Sequence, residues 1–134
     1  MKVVRYARDE HEVTGHGSRA LHATRIAELA EHATVTCLAL GPGGLIGTHP
    51  AGAHQVLLIV AGSGWVAGPD GERVPVTAGD AAYWAPGEVH ATGADREGLT
   101  AIAVEGGPAT VYEPGAAWPG RPERSGQAGQ AAQQ

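Results

Sequence analysis

From Leu45 onward the chain repeats one rhythm, a short apolar run, a glycine-containing turn and another short apolar run. Its members are LIGTH (45–49), QVLLIVA (55–61), GWVAG (64–68), ERVPVTA (72–78), AAYWA (81–85), VHATG (89–93) and LTAIAVE (99–105). Runs of this length suit strands rather than helices, and their regular punctuation predicts an antiparallel barrel or sandwich. The sharpest turn signal is Pro69-Asp70-Gly71. Proline presets its own φ and glycine accepts the positive φ of a tight turn, so a hairpin is expected there.

Upstream, Val3 to Tyr6 reads as a short strand, and residues 9–18 read as a polar loop with His11 and His16 in solvent. Residues 20–30 fit neither period cleanly and are read as a strand. The β-branched run TVTCLAL (34–40) ends in GPGG (41–44), where the strand is expected to stop and the chain to reverse. After Val111 proline, glycine, glutamine and alanine predominate, so residues 1–112 are taken as one barrel domain and 113–134 as a disordered tail in which Trp118 is the only large apolar side chain.

With 134 residues the chain suits one domain, which buries on the order of two thirds of its unfolded surface. Phenylalanine is absent, so Val, Leu, Ile and Ala must fill the core, and each of the three Trp and three Tyr is worth locating. A net charge of −5 without a Lys/Arg cluster offers no footprint for nucleic acid or an anionic membrane surface. Cys37 is the single cysteine, which excludes an internal disulfide and reads as a buried core thiol. The N-terminus lacks a signal-peptide core, and no apolar run approaches the roughly 20 residues that span a bilayer, so a cytoplasmic protein is expected.

Three of the seven histidines, His49, His54 and His90, fall at strand edges beside Gly/Pro turns, the positions from which barrel mouths are built. In the first of these regions Gly43 or Gly44 is followed by His49, and Gln55 stands seven residues before Gly62. In the second, Gly79-Asp80 leads through AAYWAPG to His90, with Gly87 three residues before it. Over roughly residues 40–105 this spacing resembles the two motifs of the cupin superfamily, whose fold is an all-β double-stranded β-helix, or jelly-roll, barrel. Departures are specific: Ala51 replaces the second motif-one His, Gln55 the Glu and Ala94 the final Asn of motif two, and Pro86 sits one position later than usual. Small stand-alone cupins with a His-Pro-Ala, Gln and Gly-Trp-Val arrangement look similar throughout.

The resemblance implies His49, Gln55 and His90 as ligands of one divalent transition metal (Fe, Mn, Ni, Zn or Cu) with open positions for a substrate. His54 is a reserve ligand. If 54–60 is one strand, His54 and Gln55 face opposite sides, and the sequence leaves that parity open because both faces are apolar; the family alignment places Gln55 inward. Glu88 is a candidate general base, or a partner fixing the His90 tautomer, beside the alternative of a solvated turn carboxylate. Trp65, Tyr83, Trp84 and Ile102 are candidate pocket walls. His22 and His32 fall outside both motifs.

Two functions stay open: a metal-dependent oxygenase, isomerase or lyase acting on a small, anionic molecule, and a metal-free module in which the same trio binds or senses a small molecule directly. A metal-free acid/base enzyme ranks behind both, since no Lys/Arg cluster awaits a diphosphate. A homodimer is expected, with the Val3–Tyr6 strand adding to a partner's sheet edge.

Overall fold

The protein, described here as a computed structural model for residues 11–29 and 32–109, is built almost entirely of strands. They are β1 (His11–Val13), β2 (Arg19–Leu29), β3 (Ala33–Pro50), β4 (His54–Ala67), β5 (Arg73–Thr77), β6 (Ala81–Trp84) and β7 (Val89–Gly106). All pairings are antiparallel, in the order β1-β2-β3-β7-β4-β5, and β6 pairs with the first half of β4. This is the all-β cupin barrel that the motifs imply.

The β4–β5 hairpin closes where Pro69-Asp70-Gly71 predicts it, with Gly71 N donating to Gly68 O at 2.9 Å and Gly71 at φ +75°. Other glycines expected at strand ends lie inside strands. The GPGG segment does not reverse the chain: β3 runs on through it, and its pairing with β7 jumps from Leu40↔Leu99 to Leu45↔Gly93. Likewise VHATG and LTAIAVE are one strand, β7, and QVLLIVA and GWVAG are one strand, β4, with register shifts around Gly62. Glycine at positive φ serves a bulge as well as a turn, and a bulge bends a strand without ending it. Gly43, Gly62 and Gly98 all have positive φ, so the three long strands bend at these sites and wrap into a barrel.

The segment expected to be a polar loop holds β1 and a single 3-10 turn, Gly15–Gly17. His11 and His16 are exposed as expected, and β2 fulfils the strand expected from residue 20 as far as Leu29. Val3–Tyr6, on which the homodimer expectation rests, and the tail with Trp118 lie outside the described residues. No helix among the described residues is long and apolar enough to cross a membrane.

Alternation sorts the side chains. On β4, Gln55, Leu57 and Ile59 are buried and face the core with Leu99, Ala101 and Ala103 of β7, whereas Leu58 and Val60 are exposed on the opposite face. Val66, Val76, Ala94 and Trp84 continue the interior. Cys37 is buried as expected.

Candidate site at the barrel mouth

His49 and His90 stand directly opposite each other in the β3–β7 pairing, their ring centroids 4.4 Å apart and their planes inclined at 51°. Each Nδ1 lies against a backbone carbonyl two residues earlier, His49 against Gly47 O at 2.7 Å and His90 against Glu88 O at 3.3 Å. A carbonyl oxygen only accepts, so the proton sits on Nδ1 in both rings. Both Nε2 atoms are therefore bare lone-pair acceptors in the neutral state.

The His90 ring is sandwiched. Trp84 stacks on it at 4.6 Å, and the residue is only 3% exposed. Burial, opposed by the hydrogen bond from the ring to the Glu88 carbonyl, and joined by repulsion from His49, holds its pKa below the usual 6.5. An imidazole whose folded pKa is depressed contributes stability that is fully present above 6.5 and is lost as pH falls through the folded value, because the unfolded chain takes up the proton first. The thermal midpoint is expected to drop between about pH 7 and pH 5, and His90→Gln to flatten that slope. Melts of both proteins across this range check it; an unchanged slope in the variant would refute the assignment.

A third imidazole, expected in solvent, joins the pair. His16, at φ +58° in the Gly15–Gly17 turn, stacks on His49 at 4.6 Å with the planes 17° apart. Close approach of two backbones carries it there: a Cβ on Gly47 would lie 1.5 Å from His16 O, so only glycine fits. Ser18 Oγ, buried, accepts the Gly47 N–H at 3.1 Å and ties the turn to β3. The flanking glycines of Gly15-His16-Gly17 signal a tight turn, but nothing in them indicates which strand it meets.

Beside the imidazoles, a cleft of about 180 Å³ is lined by Thr48, Trp65, Ala67, Arg73, Val89 and His90, among others. A larger groove of about 680 Å³, bounded by Pro42, Ser63 and Asp95–Glu97, includes none of these histidines, and its Ser63 hydroxyl already donates to Asp95 at 3.0 Å. Chemistry favours the smaller one.

Residues 33–128 match the AraC-like ligand binding domain. The chain belongs to this family. The AraC-like domain is accordingly a small cupin, and solved structures share its fold. It is similar to a predicted oxalate decarboxylase from Thermotoga maritima (24% identity, TM-score 0.66, covering 77% of this chain and 96% of that one). The polyketide cyclase RemF from Streptomyces resistomycificus (20%, 0.67, 78% and 77%) and KdgF from a Halomonas species (19%, 0.64, 75% and 87%) are also similar. At these identities the likeness is one of fold. No curated protein matches the sequence.

Within the AraC-like domain, the residues singled out from sequence separate. Gln55 is 8% exposed, on the inner face, and stands across from Trp84 in the β4–β6 pairing; Trp84 in turn stacks on His90. His54 lies on the outer face, its Nδ1 2.6 Å from Tyr83 Oη, away from the imidazole pair. Tyr83 and Ile102 share that outer face, since they pair with Val56 and Leu58. Trp65 also points outward, against Gly93, where a Cβ would come within 2.3 Å of the indole. Of the four expected pocket walls, Trp65 lines the small cleft on the outer side of His90 and Trp84 lies in the barrel interior, while Tyr83 and Ile102 do neither. The Glu88 carboxylate is engaged locally, Oε1 accepting the Ala85 N–H at 3.1 Å, and it is the Glu88 backbone carbonyl that sets the His90 tautomer.

The metal that the cupin resemblance implies meets a poor donor set. Among the described residues no group of three His, Cys, Asp or Glu is placed to hold an ion. His16 cannot complete one with His49, because a bound metal lies near the plane of each imidazole and two stacked rings 17° apart do not share such a point. With Ala51 and Gln55 standing where the motif has its second His and its Glu, two imidazoles and one weakly donating amide remain, a poorer fit to a resident metal centre than the resemblance implies.

Proposed function

We propose that this barrel is a metal-free binding module for a small hydroxylated organic molecule, held at the mouth by His49 and His90. The observation that carries this reading is the pair of imidazoles, 4.4 Å apart, whose Nδ1 protons are committed to backbone carbonyls. Such a pair accepts hydrogen bonds, and a ligand hydroxyl or enol supplies them. An anion alone would meet lone pairs rather than donors while both rings are uncharged. The anionic ligand expected from sequence assumed a bound +2 charge, and the donor set offers little support for one.

Trp84 supplies a rigid apolar wall and Gln55 lies on the same inner face, a small number of polar groups on an apolar surface as ligand sites require. Membership in a ligand binding family supports the same reading. Protein purified without chelators is expected to carry less than stoichiometric metal, to keep its ligand in EDTA, and to lose affinity about tenfold or more in both His49→Gln and His90→Gln. Metal analysis together with calorimetric titration of a polyol and hydroxy-acid panel makes the test. Stoichiometric metal, lost together with ligand binding in both variants, would replace this reading with a metal-dependent one.

A further inference from the structure

Gln55 is 8% exposed, yet among the described residues its side-chain amide has no hydrogen-bond partner. No buried side-chain nitrogen or oxygen among these residues is sealed off without one, so the amide borders open space rather than packed atoms. Alternation aims it inward with Leu57 and Ile59. It stands directly across from Trp84, which puts the two side chains about 5 Å apart on the inner face. The Trp84 ring lies 4.6 Å from that of His90, and His90 lies 4.4 Å from His49. Amide, indole and both imidazoles thus form one continuous inner wall. Its span from amide to imidazoles, on the order of 10 Å, is covered by a four-carbon chain with a hydrogen bond at each end.

The two ends of that wall differ in chemistry. Neutral imidazoles with protonated Nδ1 offer only acceptors, whereas a primary amide brings two N–H donors whichever way it is turned. A carbonyl oxygen accepts from those N–H groups and brings no proton that would need a partner beside Trp84 and Leu57. Glu105, which pairs with Gln55 from the β7 side, is exposed, and its charge disfavours a carboxylate in that place. We infer that Gln55 is the specificity residue that reads a neutral carbonyl on the ligand, so that the barrel takes small hydroxy ketones in preference to polyols. This rests on the hydroxyl-binding role proposed for His49 and His90.

L-Erythrulose and L-threitol share a carbon chain and differ by a ketone in place of a hydroxyl. They are the probes, titrated in EDTA and followed by NMR through the Gln55 side-chain N–H and the imidazole signals. The parent is expected to bind erythrulose about fivefold or more tightly than threitol, and erythrulose to move the Gln55 N–H signals further. Gln55→Met is expected to bring the two affinities together, and Gln55→Asn, an amide one methylene shorter, to keep part of the preference. His90→Gln should weaken both probes. If the parent shows no preference, or Gln55→Met keeps it, the carbonyl inference falls while the hydroxyl reading stands. Should Gln55→Met fail to fold, the parent decides, and Gln55 signals unmoved at erythrulose saturation overturn the inference. If neither probe moves the imidazole signals of His49 and His90, both fall.

Discussion

Gly62→Ala is expected to remove a large part of the barrel's stability, about 2–5 kcal/mol, against the 5–15 kcal/mol that a domain of this size holds. Two penalties combine at this position. Gly62 has φ +78°, where any Cβ is strained, and the added carbon would lie 2.1 Å from Gly98 O and 3.0 Å from Leu99 Cα. Those are backbone atoms, so no rotamer change relieves the clash. Gly98 is itself confined, for a Cβ there would meet Leu40 O at 2.6 Å. Strands β3, β4 and β7 thus touch main chain to main chain at one level, and a methyl group at Gly62 wedges β4 from β7. Gly71→Ala separates the two penalties, since Gly71 has φ +75° but nothing within 4 Å of its Cβ position. Urea denaturation should find Gly71→Ala shifted by about 1 kcal/mol and Gly62→Ala by several times that. Equal shifts would mean that the strands do not approach as described.

Gly47→Ala is expected to spare the fold and disable the mouth. The new Cβ would fall 1.5 Å from His16 O and 2.7 Å from His16 C, so the Gly15–Gly17 turn must leave β3. The bond from Gly47 N to Ser18 Oγ and the His16–His49 stack go with it. Because that turn is exposed, the stability loss should stay near 1–2 kcal/mol, while ligand affinity falls about tenfold as His49 loses the ring packed against it. His16→Ala, which deletes the ring without moving the backbone, should reproduce the affinity loss with almost no change in the urea midpoint. Imidazole NMR signals of His49 report the outcome, and a Gly47→Ala protein with an unaltered His49 signal would show that the turn does not pack on β3.

The reach of the sequence has a physical boundary. Strand runs and the Pro69–Gly71 hairpin were legible because they depend on local conformation, which residue type controls directly. Gly43 and Gly62 are legible as sites of special backbone but not as bulges, since the same φ serves a strand that turns back and one that bends and continues. The parity of β4 was hidden because its outer face is also apolar: Leu58 is 40% and Val60 52% exposed, opposite Leu57 and Ile59 in the core. For the same reason the sequence does not separate Tyr83 and Ile102 from Trp84, although alternation sends them outward. His49 and His90 were found through family spacing. His16, 33 residues before His49, arrives by a backbone contact at Gly47 that no periodicity records.

The two bonds that place the imidazole protons run from ring nitrogens to main-chain oxygens of Gly47 and Glu88. A carboxylate in that role can be lost by one codon change; a peptide oxygen cannot, because every amino acid brings its own. Glu88 can therefore drift to other residues, and the rest of the rim with it, while both rings go on offering the same nitrogen to whatever enters. Proton placement in this barrel is a property of strand geometry, so descendants can exchange one guest for another without rebuilding the acceptors that receive it.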